Sequence, residues 1–184
     1  GGLRSLEAIV GFADLRGFTV LSQCLSGEAL VATMNQFFAA LEKVVRRAGG
    51  EVLKFMGDGA VFVFPCENQE EGQVAERAVQ AIVGLGNQLE EQQDAEGVTR
   101  LRFAAALHRG KVRYGNVGAP DRLDFTIIGA DVNKTARLEE VAAQHDLELV
   151  ISAELASLLQ RPTTPLGHYQ LKGFRGEQEV FVLS

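Results

Sequence analysis

The sequence predicts an α+β fold, a mixed β-sheet covered by helices in one domain. Apolar strand-like runs alternate with two long helical patterns. Several neighbouring strands are joined by hairpins rather than by helices, which argues against a doubly wound parallel sheet. The chain has 184 residues, 46% hydrophobic and 23% charged, enough for one core of ordinary size.

Residues 6–14, LEAIVGFAD, read as a buried strand ending in an acid. Ser26 is a helix N-cap with Glu28 in the first turn. Behind it Leu30, Val31, Met34, Phe37, Phe38, Leu41, Val44, Val45 and Ala48 recur at helical spacing until Gly49-Gly50 stops the helix. EVLKF and AVFVF form a hairpin around Met56-Gly57-Asp58-Gly59. A second amphipathic helix runs from Gln73 to Gln92 with Val74, Ala78, Ile82, Leu85 and Leu89 inward, and the acidic stretch 90–97 is its solvated end. LRFAAALH and KVRYGNVG are two strands either side of Arg109-Gly110, and the loop APDRLDFT leads to a helix over 131–144. LELVI is a strand, Ser152 to Leu159 a short helix, and HYQLKGF with EVFVLS a closing hairpin.

The net charge of -6 argues against a general nucleic-acid or membrane-surface binder, although a small polyanion needs only a few local cations or a metal. No apolar run approaches the roughly 18 residues of a membrane span. Cys24 and Cys66 lie in no metal or redox spacing, so a reducing, cytoplasmic setting is expected. The chain is expected to be a single module, 1–184, of a longer protein.

Two acids carry the chemical signal. Asp14 ends the first strand and Asp58 sits in the hairpin turn, with one helix and one strand between them. That connection returns the second strand beside the first. Paired carboxylates repel unless a cation or proton intervenes, and hard divalent ions with oxygen ligands suit them. Gly17 permits a tight turn, so the backbone amides of 15–19, including those of Phe18 and Thr19, are candidates to line a polyphosphate. Taken singly, either acid reads more simply as a turn residue.

FADLRGFT, GGEVLKFMGDG, GNVG and FTIIGADVNKTARLE, in that order from about Leu6 to Leu183, resemble the catalytic domain of class III nucleotidyl cyclases. The resemblance implies a ferredoxin-like core related to polymerase palm domains, and head-to-tail homodimers with sites between the subunits. It also implies conversion of a nucleoside triphosphate to a 3′,5′-cyclic monophosphate and pyrophosphate with two divalent cations, Mg²⁺ or Mn²⁺. Asp14 and Asp58, with Leu15 beside them, match the metal site. Lys54 matches the base-selecting lysine of adenylate cyclases, and Thr126 the second base-selecting position. Asn133 and Arg137 match the pair that orients the ribose and stabilises the transition state. Lys111, Lys172 and Arg175 fall near positions that contact the triphosphate.

The chemistry of these side chains agrees. Lysine donates and cannot accept, so Lys54 suits adenine N1 and opposes the N1–H of guanine, while a Thr126 hydroxyl can accept from the adenine amino group. Asn133 and Arg137 are four apart on a predicted helix and share a face. Without the neighbouring motifs, Lys54 would be an ordinary solvent-facing strand lysine and Arg137 a surface arginine paired with Glu140. His108, His145 and His168 read as structural or exposed, and Phe18, Phe37, Phe38, Phe62 and Phe64 as core. The chain reads IGADVN where relatives commonly read IGDAVN or IGPAVN, so Asp131 is shifted by one place and the loop before Asn133 differs.

The expected substrate is ATP. Guanylate cyclase is the alternative within the class, and a non-catalytic nucleotide-sensing or dimerisation module the alternative outside it. A diguanylate-cyclase-like nucleotidyltransferase shares the palm-like core, yet GGE at 49–51 begins a strand and the rest of that signature is missing. Members with threonine at the position of Thr126 include bicarbonate-responsive enzymes, so bicarbonate is an expected activator.

Overall fold

Alternation along the first strand sets the architecture. In the computed structural model, which describes residues 2–96 and 101–184, β1 (Arg4–Leu15) sits near the middle of the sheet. Ile9, Ala13 and Leu15 face one side and Ala8 and Val10 the other, and all five are buried. One side is covered by α2 (Gly27–Arg47) and α3 (Glu71–Glu96), whose Phe37, Leu41, Ile82 and Leu85 pack with Phe62, Phe64 and Leu107 of the sheet. The other side is covered by α4 (Ala130–Gln144). A short α1 (Phe18–Cys24) follows β1, and α5 (Ala153–Ala156) adds Leu155 to the first core.

The sheet order is β2-β3-β1-β4-β6-β8-β7, with β5 paired to β4 outside that path. β2 (Glu51–Met56) and β3 (Gly59–Pro65) form the foreseen hairpin, and Gly57 takes the left-handed φ of 61° that its turn requires. β3 and β4 (Phe103–Ala119) both run antiparallel to β1, whereas β4 and β6 (Leu149–Ser152) are parallel. β7 (Thr163–Gln170) and β8 (Glu177–Leu183) close the far edge. The expected mixed sheet covered by helices is present.

Ser26 caps α2 by accepting from the Ala29 N–H at 3.2 Å. All five residues expected inward on α3 are buried. On α2 the expectation fails at Val31, which is 55% exposed because the core stripe there runs through Phe37, Leu41 and Val45. The end of the acidic stretch 90–97 lies outside the described residues, and α3 continues to Glu96.

Two loop expectations give way to strand. Arg109-Gly110 does not divide two strands: β4 runs unbroken for 17 residues, pairing Arg109 with Ile9 and Gly110 with Ala8. The 12-residue β1 holds both halves of β4 in one register. APDRLDFT is not a loop, since Arg122–Ile128 forms β5 and folds back on β4, Arg122 opposite Ala119. The spacing also gave no sign of α1, and β7 starts at Thr163, well before HYQLKGF.

Candidate active site

β1 and β3 bring the two acids together. Asp14 pairs in register with Gly59, the residue after Asp58, and the Leu15 N–H donates to the Asp58 carbonyl at 3.1 Å. Asp58 is the neighbouring side chain that acts most on the Asp14 carboxyl. Burial, the Asp58 hydrogen bond and the Asp58 charge push Asp14 up from 3.8 to about 7. Among the described residues Asp14 Oδ1 is buried without a hydrogen-bond partner. Such an orphaned carboxylate oxygen beside a second acid fits a hard divalent cation. Among the described residues no group of three or more Asp, Glu, His or Cys is arranged around a metal position. Further ligands would come from backbone, water or phosphate.

A third acid lies behind this pair. Glu139 of α4 is buried, 6% exposed, and is pushed up to about 8 by burial and then by the charges of Asp14, Glu140 and Asp58. The sequence reading missed it. The available signal was periodic: Val132, Thr135, Leu138, Glu139 and Ala142 share the buried stripe of α4.

The residues expected at the base and ribose form a second set. Lys54 of β2 is half-buried and its Nζ donates to the Phe125 carbonyl at 3.2 Å, beside Thr126 of β5. Asn133 stands exposed on the first turn of α4, and Arg137 one turn on. One apolar cluster carries all three elements: Leu53, Ile127 and Val132, adjacent in sequence to Lys54, Thr126 and Asn133, pack with Val61, Val63 and Val112. In the single chain Arg137 Nη1 donates to Glu140 Oε1 at 2.7 Å, the surface pairing its position suggested.

Other expected residues are placed less simply. Lys111 sits opposite Glu7 in the β1–β4 ladder, its Nζ 3.5 Å from Glu7 Oε1. Glu7 is seven positions before Asp14, so Lys111 is roughly 23 Å along the strands from the acids of its own chain. Lys172 and Arg175 are exposed in the turn between β7 and β8. Of the amides 15–19, two are engaged elsewhere: Leu15 on Asp58 and Arg16 on the Arg102 carbonyl at 2.8 Å. Phe18 and Thr19 open α1 instead of a loop, Thr19 exposed and Phe18 half-buried. Among the described residues Phe18 belongs to none of the apolar clusters, unlike the other phenylalanines expected in the core. His108 is buried, as a structural histidine should be, whereas His145 and His168 are exposed.

The sheet order, the convergent acids and Lys54 set beside Thr126 are those of a nucleotidyl-cyclase type of domain. The profile of the adenylate and guanylate cyclase catalytic domain matches residues 4–184, and the chain belongs to that family. Its fold superposes on the adenylyl cyclase CyaB from P. aeruginosa with a TM-score of 0.85 at 30% identity, covering 100% of this chain and 96% of that one. It is 33% identical over 188 residues to adenylate cyclase 2 of Rhizobium meliloti, covering 97% of this chain and 49% of that protein. It is 28% identical over 163 residues to an adenylate cyclase of Anabaena cylindrica, covering 88% of this chain and 32% of that protein. The chain thus spans about a third to a half of these curated relatives. No helix among the described residues is long and apolar enough to cross a membrane.

Proposed function

We infer that the domain is an adenylate cyclase, converting ATP to 3′,5′-cyclic AMP and pyrophosphate at sites shared across a head-to-tail homodimer. The observation that carries this reading is the convergence of Asp14 and Asp58 with a buried, unpartnered Asp14 oxygen. Asp14, Asp58 and the Leu15 carbonyl would hold two divalent cations, Mg²⁺ or Mn²⁺. When bound there, such ions neutralise triphosphate charge and acidify the ribose 3′-hydroxyl.

The remaining residues act on the nucleotide. Lys54 exchanges the Phe125 carbonyl for adenine N1, and the Thr126 hydroxyl accepts from the adenine amino group. Asn133 orients the ribose. Arg137 leaves Glu140 to meet charge building on the α-phosphate as the 3′-oxygen attacks in line and the bond to pyrophosphate breaks. Lys172 and Arg175 meet the triphosphate from their exposed turn, and Lys111 joins them by releasing Glu7. Phe18 and Thr19 border the phosphate path at the start of α1. No protein nucleophile is needed.

A homodimer follows because one chain carries both sets of residues, so a two-fold pair yields two equivalent sites. The free thiols of Cys24 and Cys66 suit a reducing, cytoplasmic setting. Bicarbonate is the proposed activator, and an unchanged rate across bicarbonate concentrations at fixed pH would remove it. The deciding experiment is the purified domain with Mn²⁺ and ATP assayed for cyclic AMP, beside Asp58→Ala and a parallel GTP reaction. No cyclic nucleotide would favour a sensing or dimerisation module, and faster GTP turnover a guanylate cyclase.

A further inference from the structure

The displaced acid in IGADVN has a defined place. Asp131 lies in the first turn of α4, two residues before Asn133, and turns inward onto β4. Its Oδ2 accepts from the Lys111 N–H at 2.7 Å, and its Oδ1 lies 2.8 Å from His108 Nε2. His108 is 1% exposed, and its Nδ1 lies 2.8 Å from Ser152 Oγ. Ser152 Oγ in turn accepts from the Leu155 N–H at 3.2 Å, capping α5. One assignment satisfies every group: Ser152 donates to Nδ1, and His108 donates from Nε2 to an ionised Asp131. The His108 hydrogen bond, helped by the Lys111 N–H and the Lys134 charge, holds the Asp131 carboxyl below its ordinary range.

The order serine, histidine, aspartate resembles a hydrolytic triad, but the burial excludes that use. Ser152 is 1% exposed and its oxygen already caps a helix. What the chain of bonds does is fix a helix. Gly110 makes the contact possible, because a Cβ there would collide with the Asp131 carboxyl. The glycine that suggested a break in the sequence instead admits a side chain from α4. On the other side of Asn133, buried Lys134 donates to Glu154 at 3.0 Å and Gln178 at 2.9 Å. The residue two before Asn133 and the residue after it are thus tied inward, and Asn133 is left facing solvent.

We propose that Asp131, held by His108, is a positioning residue for the cyclase reaction, fixing the rotation and height of α4 so that Asn133 presents to the ribose. This rests on the cyclase reading above. Asp131 and His108 are turned inward onto β4, so their removal should lower kcat through Asn133 and leave the KM for ATP within about threefold.

The test is a double-mutant cycle on the full chain with Mn²⁺ and ATP, joined to amide hydrogen exchange. Asp131→Ala lowers kcat by about tenfold or more in the wild-type background and less than about twofold when Asn133 is already alanine. Equal losses in both backgrounds, or no loss in the first, would overturn the proposal. His108→Leu reproduces the defect, while His108→Gln, which keeps a donor toward Asp131, retains most of the activity. Equal activity of these two variants counts against it. Exchange at the amides of 132–135 accelerates in His108→Leu while that of β1 does not, and unchanged exchange overturns the proposal whatever the activity. That measurement also separates the two readings: a wild-type domain making no cyclic nucleotide sinks the cyclase assignment and with it the catalytic consequence of Asp131, while unchanged exchange in an active domain sinks only the positioning of α4. Should Asp131→Ala fail to fold, Asp131→Asn, which keeps the volume, enters the same cycle and the same exchange comparison.

Discussion

Asp14 and Asp58 sit where strands meet, half-buried, while Asn133 stands on a helix face open to solvent. The two regions are incomplete in different ways. The acid pair lacks a charge: its geometry is fixed by the β1–β3 register and the Leu15 hydrogen bond, but one oxygen has no partner among the described residues. The set proposed to face the nucleotide lacks a surface: Lys54 and Arg137 rest on the Phe125 carbonyl and Glu140, contacts a substrate would replace. On the proposed reading a cation would complete the first and a second chain the second, and assembly would then be a condition for chemistry.

The sharpest way to break this division is at the acids. Asp58→Ala is expected to lower cyclic AMP formation by roughly a thousandfold or more, because several kcal/mol of charge stabilisation depend on the ions it would hold. Arg137→Ala is expected to cost about a hundred- to a thousandfold, by loss of one cationic donor at the reacting phosphate. Mixing these two inactive chains sharpens the comparison further. A heterodimer pairs the intact acids of one with the intact Arg137 of the other, so an equal mixture should recover about a quarter of wild-type activity. No recovery in the mixture, with dimers present, would mean that each site is built from one chain.

Lys54→Glu should act on selection more than on rate, moving the preference between ATP and GTP toward GTP by about tenfold or more. Comparing kcat/KM for the two nucleotides reads it. The smallest expected effect is on stability without divalent ions. Asp14 rises from 3.8 to about 7 and Glu139 from 4.5 to about 8, so the folded chain keeps protons that the unfolded chain releases. Their contribution is complete below about pH 4 and is lost as pH rises through 7 to 8. The metal-free melting temperature should therefore fall by roughly 5–15 °C from pH 5 to pH 8, and Glu139→Gln should flatten the slope. A melting temperature that climbs over that range would show the acids to be better solvated than they are here.

The sequence was most legible where periodicity and chemistry agreed. Helix α3, the cap at Ser26, the turn at Asp58 and the meeting of the two acids all followed from local pattern. It was least legible where a residue had two possible uses. Gly110 reads as a break, and only the long β1 partner and the Asp131 side chain show it as a close approach. The run 119–126 reads as a loop because Pro120, Asp121 and Asp124 are turn-like, yet pairing with β4 overrides them. Glu139 reads as surface charge next to Glu140, and the helix phase alone places it inside. Within the set proposed to face the nucleotide, the motif singled out Lys54, Thr126 and Asn133. Their support by Leu53, Ile127 and Val132 was not legible, because those neighbours come from three distant segments.

The unpartnered Asp14 oxygen has an evolutionary corollary. Asp14→Asn would keep the shape and remove the charge that burial opposes, so the metal-free domain should gain heat resistance as it loses its use. A selection for robustness alone, carried out in chelator, would drift toward disarmed descendants. Retention of aspartate at this position among hardy variants would record that catalysis, and not durability, was what their lineage was kept for.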